Sequence, residues 1–202
     1  MSETTELESL RDEILQLSGR RLNATTFAIT VTVGIIGFGL QSQSHKSLIM
    51  LIPLIILFFA GIQMASLYHS TVRIATYIRK FIEPKHENLH WETFMHAYRT
   101  HIAEYPKLSR LSWPAYQIVL VGVGWICVIL SFVFAVEEAS AVSTPGFYLS
   151  FIAPISGAIL WLIFSIWFLR SMKLVVSGVL DAEFERMWSN VAKELNNRKA
   201  DE

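Results

Sequence analysis

The sequence predicts an all-α membrane protein with four transmembrane helices in two hairpins, amphipathic helices on the cytoplasmic side and an oligomeric assembly. Three observations predict it. Charged residues make up 17% of the chain, yet the runs Asn23 to Leu40, Leu48 to Leu67, Ala115 to Val136 and Phe147 to Leu169 contain no Asp, Glu, Lys, Arg or His. Lys and Arg gather on one side of those four runs, and the sequence outside them spaces its apolar residues as helices do.

Each run is long enough to be a span. At about 1.5 Å per residue the last three cross a hydrocarbon layer of about 30 Å, and the first does so once Leu22 and Gln41 are included. Of the 17 Lys and Arg residues, only Lys46 lies in the 41–47 connection and none lies in the connection from Glu137 to Gly146. The rest fall in the N-terminal tail (Arg11, Arg20, Arg21), in 69–114 and after Leu169. The positive-inside rule therefore puts both termini and the middle segment in the cytoplasm. Expected segments are a cytoplasmic amphipathic helix 1–22, hairpin 23–68, a cytoplasmic helical segment 69–114, hairpin 115–169 and a cytoplasmic C-terminal helix 170–202.

The first segment opens with Thr5-Glu6-Leu7-Glu8, a capping-box pattern, and sets Leu7, Leu10, Ile14 and Leu17 on one stripe. Five acidic residues before the first span argue against a secretory signal, and Arg20-Arg21 reads as a positive-inside anchor. Along the first span Thr26, Thr30, Gly34 and Gly37 form a stripe of small and hydroxyl residues, the kind that marks helix contacts in lipid. That stripe is a candidate helix interface or pore lining. Pro53 and Pro154 stand at similar depths in the second and fourth spans and predict matched bends.

Past the second span, Ile74, Tyr77, Ile78, Phe81 and Ile82 continue one helical face until Pro84, with Arg73, Arg79 and Lys80 beside it. Trp91, Met95, Tyr98 and Ile102 form another amphipathic face. Phe184, Met187, Trp188, Val191 and Leu195 form a third, behind an Asp181 expected to cap its helix. Arg79, Lys80, Trp91 and Arg99 are candidate contacts for a soluble partner or a nucleotide-type ligand, because cations interleaved with aromatics can hold and stack one.

Five of the six histidines lie between His69 and His101, but the spacing matches no metal motif, so no metal or other cofactor is expected. No phosphate loop, nucleophile elbow or paired-cysteine pattern is present, and the protein is not expected to be an enzyme. His90, Glu92 and Tyr98 would serve a membrane enzyme acting at the inner interface. Formal net charge is zero, which gives no footprint for an extended nucleic-acid duplex.

The whole layout, an acidic starting helix, two short-tipped hairpins and a helical cytoplasmic layer, resembles small multi-span membrane effectors of bacterial anti-phage defence systems. That resemblance implies a homo-oligomer that compromises the inner membrane. The stretch from Tyr77 to Pro84 together with Leu89-His90-Trp91-Glu92 resembles a motif of uncharacterised bacterial inner-membrane proteins, with no assigned role. The expected function is a homo-oligomeric pore or membrane-disrupting effector controlled through cytoplasmic helices. The expected partners are the lipid bilayer and further copies of the chain. A non-conducting anchor that recruits a soluble effector is the alternative.

Overall fold

A computed structural model describes residues 3–43, 45–85, 90–104, 115–140, 144–176 and 179–200, with side chains except at 3–4, 98–104, 115–116, 144–150, 175–176 and 195–200. The architecture is all-α, and no strand occurs among the described residues. Four helices are long and apolar enough to cross a membrane, so this is a multi-pass membrane protein.

Helix α1 runs unbroken over Glu3–Gln41. It carries no proline, and its 39 residues extend about 58 Å, roughly twice a hydrocarbon layer. The acidic starting segment and the first span are thus one helix. A tight turn follows, in which Ser42 N–H donates to Phe38 O at 3.1 Å and to Gly39 O at 3.3 Å. His45 has φ 57°, in the left-handed region, and precedes the single turn α2, Lys46–Ile49.

Helix α3 spans Ile52–Tyr77 and continues as a π-helical turn Ile78–Ile82 and a 3-10 turn Glu83–Lys85 that ends at the Pro84 stop. Then come α4 (Trp91–Glu104), α5 (Ala115–Ser140), α6 (Thr144–Val176) and α7 (Val179–Ala200). The two prolines behave differently. Pro53 is the second residue of α3, just past the break at Met50 and Leu51, where a missing N–H costs nothing. Pro154 lies inside α6, so the matched bends suggested by the sequence are not a true repeat of local structure.

The chain divides into two compact units. One comprises Arg21–Met64 and Pro114–Arg170 and carries the apolar parts of all four crossing helices. Its interior holds Ala28, Leu57, Met64, Leu120, Cys127, Trp161 and Phe168. Two glycines make room for aromatic rings: Gly124 lies against Trp161 and Gly61 against Phe164. Phe164 is then packed at 4.9 Å from the Trp161 ring and 5.6 Å from that of Phe168.

At the end of this unit that carries α2, Ser47 is stapled to α5. Its hydroxyl donates to Glu138 Oε2 at 2.5 Å, its N–H to Oε1 at 3.3 Å, and its carbonyl accepts Ser131 Oγ at 2.7 Å. Lys46 adds an ion pair to Glu137 at 3.7 Å. Between 22% and 39% of each apolar window is buried inside the chain, so most of the span surface is turned outward.

The other unit comprises Met1–Arg20, Ala65–Trp113 and Ser171–Glu202. Leu17, Ile74, Ile78 and Ile82 form its core, with Leu7, Leu10, Ile14, Leu67 and Tyr77 packed on them. The leucine stripe of α1 therefore has a partner in the apolar face of α3. Each fully buried side chain of this kind stabilises by roughly 1.5–3 kcal/mol, which an isolated short helix in water lacks. Helix α7 joins through Trp188, whose ring meets Tyr77 at 5.1 Å and whose Nε1 donates to Arg73 O at 3.3 Å.

Candidate functional site

On α1, two faces separate by their contacts. Thr25, Ala28, Thr32 and Gly39 are buried inside the chain, whereas Thr26, Thr30 and Gly34 are exposed and Gly37 is half-buried. The Thr25 hydroxyl donates to Arg21 O at 2.9 Å and lies 3.3 Å from Met64 Sδ. The Thr26 and Thr30 hydroxyls make no hydrogen bond among the described residues. A Cβ built on Gly34 or Gly37 meets nothing within 4 Å. The sequence-derived stripe is thus free of the chain's own packing along its exposed part.

In the second unit the π turn presents Arg79 and Lys80 toward α7. Arg79 Nη2 pairs with Glu185 Oε2 at 3.3 Å, and Lys80 Nζ donates to Glu185 O at 2.9 Å and to the Ser189 hydroxyl. Both candidate ligand cations are therefore engaged by the last helix. Trp91 stands apart from them at the start of α4, 62% exposed. Arg99 belongs to α4, but its side chain lies outside the described residues, as does that of Tyr98. The structure therefore does not bring Arg79, Lys80 and Trp91 onto one shared surface patch through any described contact.

What positions Trp91 is Glu83. Its buried carboxylate accepts Glu92 N–H at 2.6 Å, Thr93 N–H at 3.0 Å and the Thr93 hydroxyl at 2.6 Å. These are orphan donors of the first turn of α4, satisfied from eight residues before the helix starts rather than by a neighbouring cap. A cleft of about 310 Å³ opens beside this cap, lined by Ile14, Leu15 and Ile78 and by Arg11, Trp91, Glu83 and Glu92. Sequence reasoning singled out Trp91 there but not Arg11 or Glu83. The signal available was an acidic residue directly before the helix-stopping Pro84, with a helix due to restart shortly after.

Asp181 is the other buried carboxylate of this unit, 1% exposed. It was expected to cap α7, but α7 starts at Val179 and places Asp181 within the first turn. There Oδ2 lies 3.3 Å from His96 Nδ1 and Oδ1 accepts the Thr76 hydroxyl at 3.4 Å, so one acid joins α3, α4 and α7. The Thr76 hydroxyl also reaches Val72 O at 2.8 Å.

Tyr77 donates its hydroxyl to Glu6 Oε1 at 2.9 Å, tying α3 to the start of α1. Burial, and then the Glu6 hydrogen bond, push its phenol above the ordinary tyrosine value. Among the described residues no group of three or more His, Cys, Asp and Glu is placed to hold a metal ion. No protein-family model, curated protein or solved structure matches the chain.

Proposed function

We propose that the chain acts as a homo-oligomer in a bacterial inner membrane, with both termini cytoplasmic, and forms a regulated pore or membrane-disrupting assembly of the kind used as anti-phage effectors. The observation that carries this reading is the Thr26, Thr30 and Gly34 face. It runs from near the start of the first apolar span to its middle and is exposed, and its two hydroxyls have no partner in the chain's described residues. A hydroxyl facing hydrocarbon without a hydrogen bond is costly, whereas neighbouring subunits or water in a lumen would satisfy it. One chain has no Asp, Glu, Lys, Arg or His in its spans from which to build a conducting path, so several copies are needed.

Control falls to the amphipathic unit, whose Arg79, Lys80, Trp91 and Arg99 meet a soluble partner or small ligand. The test is mass and flux on the purified full chain. Native mass spectrometry of the detergent-solubilised particle should give a closed oligomer, and vesicles containing it should pass ions in at least one ligand state. Gly34→Leu should lower the particle mass while leaving the subunit folded, because nothing in the chain lies within 4 Å of that position. A monomeric wild-type particle ends the proposal.

Exposed Trp91 and Phe94 on α4, at 62% and 68%, favour a second reading, a non-conducting anchor that docks a soluble effector. Absence of flux in every ligand state, with an intact oligomer, would select it.

A further inference from the structure

We propose that the cleft beside the start of α4 binds a small apolar zwitterion, a free α-amino acid with an aliphatic side chain. The inference deepens the proposed ligand control of the amphipathic unit and rests on that reading. The cleft measures about 310 Å³, at the lower end of small-ligand pockets, which run from about 300 to 1,000 Å³. Its wall is aliphatic, from Ile14 and Ile78, with the indole of Trp91 as a platform.

Its charges are the informative part. Arg11 makes no hydrogen bond or ion pair with any described residue, although it lines a cleft that also holds the Glu83 carboxylate. Glu83 cannot swing toward it. Three donors of the α4 start fix its two oxygens, one donor on Oε1 and two on Oε2. A carboxylate offers about four acceptor positions, so Oε1 keeps one directed elsewhere. The cleft is therefore lined by one guanidinium, by the carboxylates of Glu83 and Glu92, neither of them ion-paired to Arg11, and by apolar side chains, with room for a molecule.

A ligand carrying only an anion would bring it beside buried negative charge, and one carrying only a cation would leave Arg11 unmatched. A zwitterion answers both. Its carboxylate takes the guanidinium in paired hydrogen bonds, its ammonium donates to Glu83 Oε1, and its aliphatic side chain lies on Ile14, Ile78 and the Trp91 ring.

The test is equilibrium dialysis of the full chain in detergent with radiolabelled leucine, and with N-acetyl-leucine, leucinamide and ATP as competitors. Leucine should bind saturably, and both blocked analogues should compete at least tenfold more weakly. Arg11→Ala should weaken leucine at least tenfold and leave leucinamide unchanged. Gly122→Ala, in the membrane unit where an added methyl meets nothing within 4 Å, should leave leucine binding at the wild-type level. The proposal is overturned by no saturable leucine binding, by Arg11→Ala binding leucine as the parent does, or by ATP displacing leucine more readily than leucine itself. Ion flux measured on the same preparation keeps the two readings apart. Binding without flux removes the pore and leaves the cleft, while flux without binding removes the cleft and leaves the pore.

Discussion

Gly124→Ala is the sharpest test of the membrane unit. A Cβ at position 124 would sit 2.1 Å from Cε2 and Cζ2 of Trp161 and 2.6 Å from its Nε1. Ordinary contact begins at 3.4 Å, so the ring must withdraw by about 1.3 Å. That movement disturbs a packed aromatic cluster. Trp161 is 2% exposed, its ring is 4.9 Å from Phe164, and Phe164 is itself pressed against Gly61 on α3 and Phe168 on α6.

Overpacking of this kind costs about 1–3 kcal/mol, and displacing the ring also breaks the 3.3 Å bond from Trp161 Nε1 to Val121 O, worth about 0.6 kcal/mol in a membrane protein. The expected loss is roughly 2–4 kcal/mol, or a fall in melting temperature of roughly 5–15 °C for a chain of this size.

Gly122→Ala is the matched control. It adds the same methyl to the same helix where nothing lies within 4 Å, and surface changes of that sort stay within about 0.5 kcal/mol. Thermal unfolding of both variants in detergent, followed by near-ultraviolet circular dichroism, reads the difference. Trp161→Phe in the Gly124→Ala background should recover part of the loss, since the two positions touch and their effects will not add. Equal melting of the 124 and 122 variants would refute the packing described for α5 and α6.

Three further outcomes follow from the polar contacts. Glu83→Ala strips the first turn of α4 of its acceptor, costs about 1–2 kcal/mol and speeds amide exchange at Glu92 and Thr93; unchanged exchange there would remove the capping role. Glu138→Ala leaves the buried Ser47 hydroxyl and N–H unbonded and costs about 1–3 kcal/mol in melting studies, with Glu138→Gln recovering part of it. Tyr77 has a folded pKa above its ordinary 10.0, so its contribution is complete below that pH and lost as pH rises through the folded value. Tyr77→Phe should therefore flatten the alkaline limb of a stability-against-pH curve, and an unchanged limb would show that Tyr77 does not titrate in coupling with folding.

The spans were legible because hydrocarbon imposes a rule with few exceptions. A charge in the middle of a crossing helix has no water to meet, so its exclusion from four windows can be read without any structure. The leucine stripe of α1 was legible for a similar reason, since Leu7, Leu10, Ile14 and Leu17 must be buried somewhere. The rest depends on distant partners. Asp181 reads as a helix cap from its neighbours, but it also reaches Thr76 and His96, which are 105 and 85 residues away. Glu83 reads as one more surface charge until α4 folds back within its reach. The π turn at Ile78–Ile82 leaves no mark in composition, and it decides that Arg79 and Lys80 face α7.

Hydroxyl count overstates how polar these spans are, and the correction bears on what a pore is built from. A serine or threonine in a helix can return its proton to the carbonyl four residues back, and Ser165 does so to Trp161 O at 2.7 Å, as Thr25 does to Arg21 O. Such residues present almost nothing polar to a neighbour. Thr26 and Thr30 differ because their hydroxyls are uncommitted and exposed, and Thr32 differs because its Oγ1 is buried with no hydrogen-bond partner among the described residues. The polar capacity of the first span is therefore concentrated on α1 between Thr26 and Thr32. Substituting Thr26 and Thr30 together with Val keeps their shape and removes only the hydroxyls. If that face meets lipid, the change should leave assembly and flux as they were or raise stability slightly. If it lines a wet path or a subunit contact, flux or particle mass should fall while the melting of the isolated subunit stays put.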